Sequence, residues 1–292
     1  MTRRVAVVGG SGRLGARVVR ALGEQGASAV SLSRRTGFDL SRSGPDDLAR
    51  ALDGSDAVID CSDAADRSVA TFEASAGRLA VAAGRADVRQ LVAVSIVGID
   101  RPGLARMGYY QGKLAQERAL RAAALPVGIV RTTQWYTFAD QVYAGVGLGR
   151  FGRVGVAPTM RMQPVSTDAV AARLARAALE GLPDGRVELA GPQPMSLAEL
   201  VRRLWRARGV RVRVIQLTIP GGRGFGIPGF ADGSLLPGPD AEIDPTTVEE
   251  WARTEHLSRP AGIQQLGEPG QDAWGSVRDT ALRNFGSDGR AG

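Results

Sequence analysis

The feature that most constrains the fold is a glycine turn close to the start of the chain. Val5-Ala6-Val7-Val8 is apolar at every position and runs directly into Gly9-Gly10-Ser11-Gly12-Arg13-Leu14-Gly15. A strand with no polar side belongs inside a parallel sheet covered by helices on both faces. The glycines satisfy two spacings at once, 9, 12, 15 and 10, 12, 15. The first glycine takes a turn closed to other residues, Gly12 lets a ligand approach the main chain, and Gly15 lets helix and strand pack closely. A helix opening at such a turn presents free N–H groups and the positive end of its dipole, which suits a pyrophosphate. The strand–turn–helix context predicts a dinucleotide-binding sheet.

The chain behind the turn alternates strand and helix patterns, the grammar of parallel βαβ units. Helices are expected at Arg13–Leu22, Pro45–Leu52, Ser68–Ala83 and Tyr109–Ala124. Strands are expected at Ala29–Ser33, Phe38–Leu40, Asp56–Asp60, Gln90–Ser95 and Val127–Arg131, the second to sixth of the sheet. The fold class is therefore α/β, a Rossmann-type doubly wound parallel sheet. Beyond Arg131 the pattern changes. Gln134–Val146 looks helical and carries Trp135, Tyr136, Phe138 and Tyr143, and Gly145–Gly155 is glycine-rich. Ser166-Thr167-Asp168 suits the N-cap of a helix through Leu179, and Val187–Leu189 reads as a strand. Ser196 with Glu199 suits a capping box for Leu197–Arg208. Val210–Ile215 alternates like a strand, Ile219–Pro239 is rich in Gly and Pro, and Pro245–Thr254 is a last helix. The expected organisation is a nucleotide-binding core over 1–133, a smaller C-terminal substrate lobe over 134–257 intertwined with it, and a flexible or surface-wrapping tail over 258–292.

Composition narrows the partners. Of 292 residues 43% are hydrophobic, enough for a real core. The one cysteine, Cys61, excludes an internal disulfide and suits a reducing compartment. No 18-residue apolar run exists, so no membrane partner and a cytoplasmic location are expected. The net charge of +7 is scattered rather than gathered in a basic stripe with aromatics, so no nucleic-acid partner is expected. The single histidine, His256, lacks Cys or acidic companions, so no metal is expected. Among the 37 Lys and Arg residues only Lys113 is a lysine. A chain that otherwise uses arginine keeps lysine where a compact ammonium with a tunable pKa is needed.

The end of the second strand discriminates between dinucleotides. A ribose 2′-hydroxyl wants an acid there, and a 2′-phosphate wants cations and hydroxyls. The chain has Ser33-Arg34-Arg35-Thr36 and no acid before Asp39. NADP(H) is therefore the preferred cofactor, with NAD(H) possible. Lys113 follows Tyr109 by four residues, which places both on one helix face. Tyr110 is out of that register. Ser95 ends the fifth expected strand, where open α/β sheets place ligands.

These motifs together resemble the short-chain dehydrogenase/reductase superfamily. Ser95-Ile96-Val97-Gly98-Ile99-Asp100, Tyr109 through Glu117, Arg131-Thr132-Thr133-Gln134-Trp135 and Gln163-Pro164-Val165-Ser166-Thr167-Asp168 are similar to its atypical, NmrA-like branch. The resemblance runs from Val5 to about Trp251 and is silent on the substrate. It implies that Tyr109 is the general acid/base, that Lys113 lowers its pKa and bonds the nicotinamide ribose, and that Ser95 polarises a substrate carbonyl. It places Asp39 and Leu40 near the adenine, Cys61 and Ser62 near ribose or phosphates, and Thr132 and Thr133 near the nicotinamide. Cys61 has no activating partner and is not expected to be a nucleophile. Met107, Trp135 and Phe138 are candidates for an apolar substrate wall. The expected activity is NADPH-dependent reduction of a carbonyl, quinone or similar small molecule. Two alternatives stay open: an NADP(H)-binding redox sensor without chemistry, since many NmrA-like proteins lack the tyrosine, and an NAD-dependent nucleotide-sugar epimerase or dehydratase.

Overall fold

The computed structural model describes residues 2–64, 66–104, 107–139, 144–147, 153–182, 184–217 and 228–258. The chain opens with β1 (Arg4–Val8), turns into α1 (Arg13–Glu24) and returns as β2 (Ser28–Leu32). Then follow α2 (Pro45–Leu52), β3 (Ala57–Asp60), α3 (Val69–Arg85), β4 (Gln90–Ile96), α4 (Gly108–Arg121) and β5 (Val127–Thr132). The pair β6 (Ala144–Gly147) and β7 (Arg153–Pro158) and the short β8 (Arg161–Met162) precede α5 (Thr167–Glu180) and β9 (Arg186–Ala190). Last come β10 (Met195–Ser196), α6 (Leu197–Ala207), β11 (Val212–Leu217), α7 (Pro228–Ala231), β12 (Glu242–Ile243) and α8 (Val248–Ser258).

Seven strands form one parallel sheet in the order β2-β1-β3-β4-β5-β9-β12. The chain runs outward from β1 to β2 and then crosses back to β3, so the order reverses beside β1. The crevice above the strand ends at such a reversal is where these sheets bind ligands. Both faces are covered, which explains the uninterrupted apolar run in β1. Val5 and Val7 join Leu14, Val18 and Leu22 of α1 and Leu174 of α5 in one core. Ala6 and Val8 face the other way, toward Leu48 of α2 and Leu79 of α3. A third core in the lobe gathers Tyr136, Met162, Leu200 and Leu204 around Trp251. Residues beyond 133 thus build the lobe and also give the main layer α5, β9 and β12.

Ser166 and Ser196 accept bonds from the amides of Ala169 and Glu199, and Ser68 does the same for Thr71. Of the capping box expected at Ser196 only this serine half is formed. Each cap satisfies an orphan donor, worth about 1 kcal/mol.

Two elements differ from expectation. Phe38–Leu40 is not a strand, and β4 and β5 are consequently the fourth and fifth of the chain. Arg34–Thr36 forms a 3-10 turn ended by left-handed Gly37, with φ +81°. Asp39 then takes the Ser41 amide into a side-chain turn. Phe38 and Leu40 are still buried, so the alternation reported burial and not strand geometry. The expected helix Gln134–Val146 is not continuous either. Trp135 pairs with Val165 as a parallel bridge, and Ala144–Gly147 is a strand antiparallel to Arg153–Pro158. After Trp135 the chain makes a turn at Tyr136–Thr137 that leads into helical Phe138–Ala139, with the Tyr136 hydroxyl donating to the Thr246 carbonyl at 2.7 Å. Tyr143 and residues 259–292 of the expected tail lie outside the described residues.

Helices α3 and α4 approach closely because residue 112 has no side chain. A Cβ on Gly112 would stand 2.4 Å from the Phe72 ring. Gly112→Ala should therefore lower stability by about 1–3 kcal/mol despite the better helix propensity of alanine. Urea unfolding of the variant checks this, and a gain in stability would contradict the packing.

Candidate functional site

The glycine turn is built by close approach. Gly9 is left-handed, with φ +74°, and a Cβ there would stand 2.9 Å from the Cys61 carbonyl oxygen. A Cβ on Gly10 would stand 2.5 Å from Ser31 Oγ, and one on Gly15 2.1 Å from the Gly9 carbonyl oxygen. The two overlapping spacings thus have separate causes, since residues 9 and 10 are each confined by a different strand. Gly12 is the N-cap of α1, in extended conformation and with no side-chain cap. The first turn of α1 holds no acid, so its amides are offered to an anion.

The turn opens on a cavity of about 950 Å³ above the carboxyl ends of β1 to β5. Ser95, Tyr109 and Lys113 border it, with Met107, Trp135 and Phe138. Gly9, Ser11, Gly12, Arg13, Leu14, Ser33, Arg34, Arg35, Asp39, Leu40, Cys61, Ser62, Thr132 and Thr133 border it too. Gly15 lies behind, where α1 packs on the Gly9–Gly10 backbone of the turn.

One end follows β2. Arg35 Nη2 donates to the Ser11 carbonyl at 3.1 Å, which joins the arginine pair to the glycine turn. The Thr36 amide is taken by the Ser33 carbonyl at 2.8 Å, which leaves the buried Ser33 Oγ without a bonded partner. Asp39 is turned to Ser41, accepting its amide at 2.9 Å and its hydroxyl at 2.6 Å. Those bonds hold the Asp39 carboxyl below its usual range. Two arginines, an orphan hydroxyl and an acid engaged elsewhere fit the oxygens of a 2′-phosphate.

The other end lies beyond β4. Lys113 is buried, donating to the Val94 carbonyl at 2.9 Å and to Gln116 Oε1. Gln116 Nε2 donates to Asp60 Oδ2 at 2.8 Å. Tyr109 packs edge-on to Phe72, and the Arg67 guanidinium stacks 5.0 Å from the centre of the Tyr109 ring. Burial and the nearby Asp63 charge push the Tyr109 hydroxyl up, and Arg67 only partly opposes them. The expected electrostatic role of Lys113 therefore differs here. Its two bonds go to Val94 and Gln116, and the cation beside Tyr109 is Arg67. Arg67 has a left-handed backbone, φ 54°, and pairs with Asp63 at 3.5 Å. Burial pushes the Cys61 thiol above its usual pKa.

Ser95 also departs from the role the resemblance implies. It is 2% exposed and its Oγ is sealed from solvent without a formed hydrogen bond. The hydroxyl lies beside the Glu117 carboxylate, which it helps keep ionised. Ser95 borders the cavity, and the alternation of β4 places it on the sheet face that α4 covers. Burial alone would raise Glu117, but Arg131 overrides it with two bonds of 2.9 Å. Arg131 also donates to Asp100 Oδ2 at 2.7 Å.

The hydroxyls after β5 are engaged. Thr132 Oγ1 accepts from Trp135 Nε1 at 2.9 Å, and Thr133 Oγ1 donates to the Gln163 carbonyl at 2.6 Å. Both residues shape the wall while their hydroxyls hold it together. The structure adds Asp63, Arg67, Phe72, Gln116 and Phe230 to the cavity. Gln116 was findable, being three residues after Lys113 on one helix face. Asp63 and Arg67 sit in a loop with no periodic signal.

The model of the NAD(P)H-binding family matches residues 9–180, more than half of the chain. No curated protein matches the sequence. Among solved structures, an NADPH-dependent quinone oxidoreductase of Escherichia coli complexed with NADPH is similar at 20% identity. It covers 87% of this chain and 100% of its own, with a TM-score of 0.65. A Citrobacter sp. triphenylmethane reductase complexed with NADP(H) has 16% identity, 86% and 99% coverage and a TM-score of 0.65. The UDP-N-acetylglucosamine 4-epimerase of Bacillus cereus has 16% identity, 91% and 99% coverage and a TM-score of 0.65. Likeness at these identities establishes a shared fold and leaves activity to the site.

Glu117 links pH to stability. Its native pKa is lowered, so its contribution is full above the ordinary value of 4.5 and is lost as pH falls through the native value. Glu117→Gln should cost about 3 kcal/mol at neutral pH, because it leaves the buried Arg131 with the half-exposed Asp100 as its remaining ionised partner. The loss should shrink in acid. Urea unfolding at pH 7 and pH 4 checks both, and a loss independent of pH would contradict the ion pair.

Proposed function

The chain belongs to the NAD(P)H-binding family, in the atypical, NmrA-like branch of the short-chain dehydrogenase/reductases, and we propose that it is an NADPH-dependent oxidoreductase of small organic acceptors. The observation that carries this reading is the continuity of one cavity. It joins Arg34 and Arg35, the glycine turn, and Tyr109 with Lys113. A carbonyl or quinone is the acceptor class that this pairing of a dinucleotide site with a half-buried phenol suits. The product would leave the same cavity.

Each residue has a task in this reading. Arg34, Arg35 and Ser33 hold the 2′-phosphate, and the amides at the start of α1 hold the pyrophosphate. Lys113 anchors the nicotinamide ribose from the floor. The bound nicotinamide supplies the hydride. Tyr109 gives its phenolic proton to the acceptor oxygen as the carbonyl bond is reduced, and solvent returns a proton to the phenolate. The phenol is protonated at neutral pH with or without this shift; the raised pKa opposes proton donation, and in this reading the bound cofactor and acceptor must offset it. Met107, Trp135 and Phe138 form the apolar wall that excludes water.

A second reading is an NADP(H) sensor without chemistry. In its favour, both Lys113 bonds point away from Tyr109. The epimerase reading has less support, because the end of β2 offers arginines in place of the acid that an NAD ribose takes.

Two experiments test the proposal. Replacing Arg34 and Arg35 together with alanine should weaken NADPH binding more than tenfold and change NADH binding little, since a charge-assisted contact is worth about 1.5–3 kcal/mol. Fluorescence titration of both cofactors checks this, and equal losses would remove the phosphate-reading role. Tyr109→Phe should lower turnover of an identified acceptor by about 10²–10⁴-fold while NADPH still binds. Near-normal turnover would instead favour a reaction without the phenol.

A further inference from the structure

The floor of the cavity holds three polar side chains that are almost wholly enclosed. Lys113 is 4% exposed, Gln116 3% and Asp60 1%. A buried ammonium is costly unless charge or hydrogen bonds compensate it. Both Lys113 bonds go to uncharged oxygens, the Val94 carbonyl and Gln116 Oε1. The compensating charge lies one step further on. Gln116 Nε2 donates to Asp60 Oδ2 at 2.8 Å, and Asp60 Oδ1 is held by the amide of Ser62 at 2.9 Å and its hydroxyl at 2.6 Å.

The orientation of the Gln116 amide is dictated by chemistry. An ammonium has only donors and an ionised carboxylate only acceptors, so the amide oxygen must face Lys113 and the nitrogen Asp60. Leucine has neither group, and glutamate would set a second carboxylate against Asp60. We propose that Gln116 is a positioning residue that couples the Lys113 ammonium to the Asp60 carboxylate and so fixes the only lysine of the chain at the floor of the cavity. The network itself rests on the hydrogen bonds alone; its consequence for a bound cofactor rests on the reductase reading.

The titratable groups facing Lys113 are Asp60 of β3, Cys61 and Asp63 just after it, and Glu117 on its own helix, and the Phe72 ring of α3 lies 5.7 Å from the nitrogen. Burial pulls the amine below its usual pKa, and Asp60 is the strongest of the groups that oppose it. Removing the amide link should leave burial less opposed. Placing a carboxylate there should do the reverse.

A chain with one lysine gives a single side-chain signal when grown on lysine labelled with ¹³C at Cε, so its titration can be followed by NMR. The midpoint should fall by about one unit or more in Gln116→Leu and rise in Gln116→Glu, relative to the wild type. A purely structural role for Gln116 would move both variants alike or neither, and either result would overturn the proposal. Gln116→Glu keeps the size and polarity of the side chain, so it remains informative if the leucine variant does not fold. In parallel, Gln116→Leu should bind NADPH about tenfold more weakly while 2′,5′-ADP, which lacks the nicotinamide half, binds as in the wild type. If the wild type binds neither ligand, the reductase reading fails and the NMR order still decides the positioning role. If the wild type binds both and the variant's midpoint is unchanged, the positioning role fails alone.

Discussion

The contact between the start of α1 and the Gly9 carbonyl is the constraint on which the site depends. With no side chain at residue 15, the helix lies against the turn, and a Cβ there would overlap the carbonyl oxygen. This approach aims the α1 N-terminus at the crevice beside β1. The other end of the helix is held by charge. Arg17 and Arg20 pair with Asp168 at 3.4 and 2.5 Å, and Trp251 Nε1 donates to the same carboxylate at 3.1 Å. Asp168 lies in the first turn of α5 and Trp251 belongs to α8, so one carboxylate ties α1 to the lobe.

Helix α4 carries a second division of labour. Its Tyr109, Lys113 and Gln116 side line the cavity, while Glu117 grips Arg131 on the sheet. Buried ionic networks of this kind are weak contributors to net stability and strong penalties when broken. The phenol and the ammonium share a helix face but answer to different neighbours. Arg67 and Asp63 govern the first, and Gln116 and Asp60 the second.

Much of this was legible in the sequence because local rules governed it. The apolar β1 run, the glycine spacings and the serine caps each express a backbone requirement that only a few residue types satisfy. Helix α2 matched its expected span, Pro45–Leu52, because proline suits a first turn and the apolar spacing ended at Leu52. Phe38–Leu40 and Gln134–Val146 failed for one reason, that side-chain burial shows the same pattern in an irregular segment held by tertiary contacts. The partners of Ser95 and Lys113 were illegible. Which oxygen a buried hydroxyl or ammonium meets depends on strand alternation and helix rotation to within one residue, and motif spacing does not carry that information. Asp63 and Arg67 were missed because a loop has no period.

The central claim is that the cavity reads a phosphorylated nicotinamide dinucleotide. Isothermal titration of the wild-type protein with NADPH and with NADH, at one ionic strength, tests it most directly. The account predicts binding of both, with NADPH favoured at least tenfold, the value of about 1.4 kcal/mol from its extra phosphate contacts. Equal affinities, a preference for NADH, or no binding at all would contradict it.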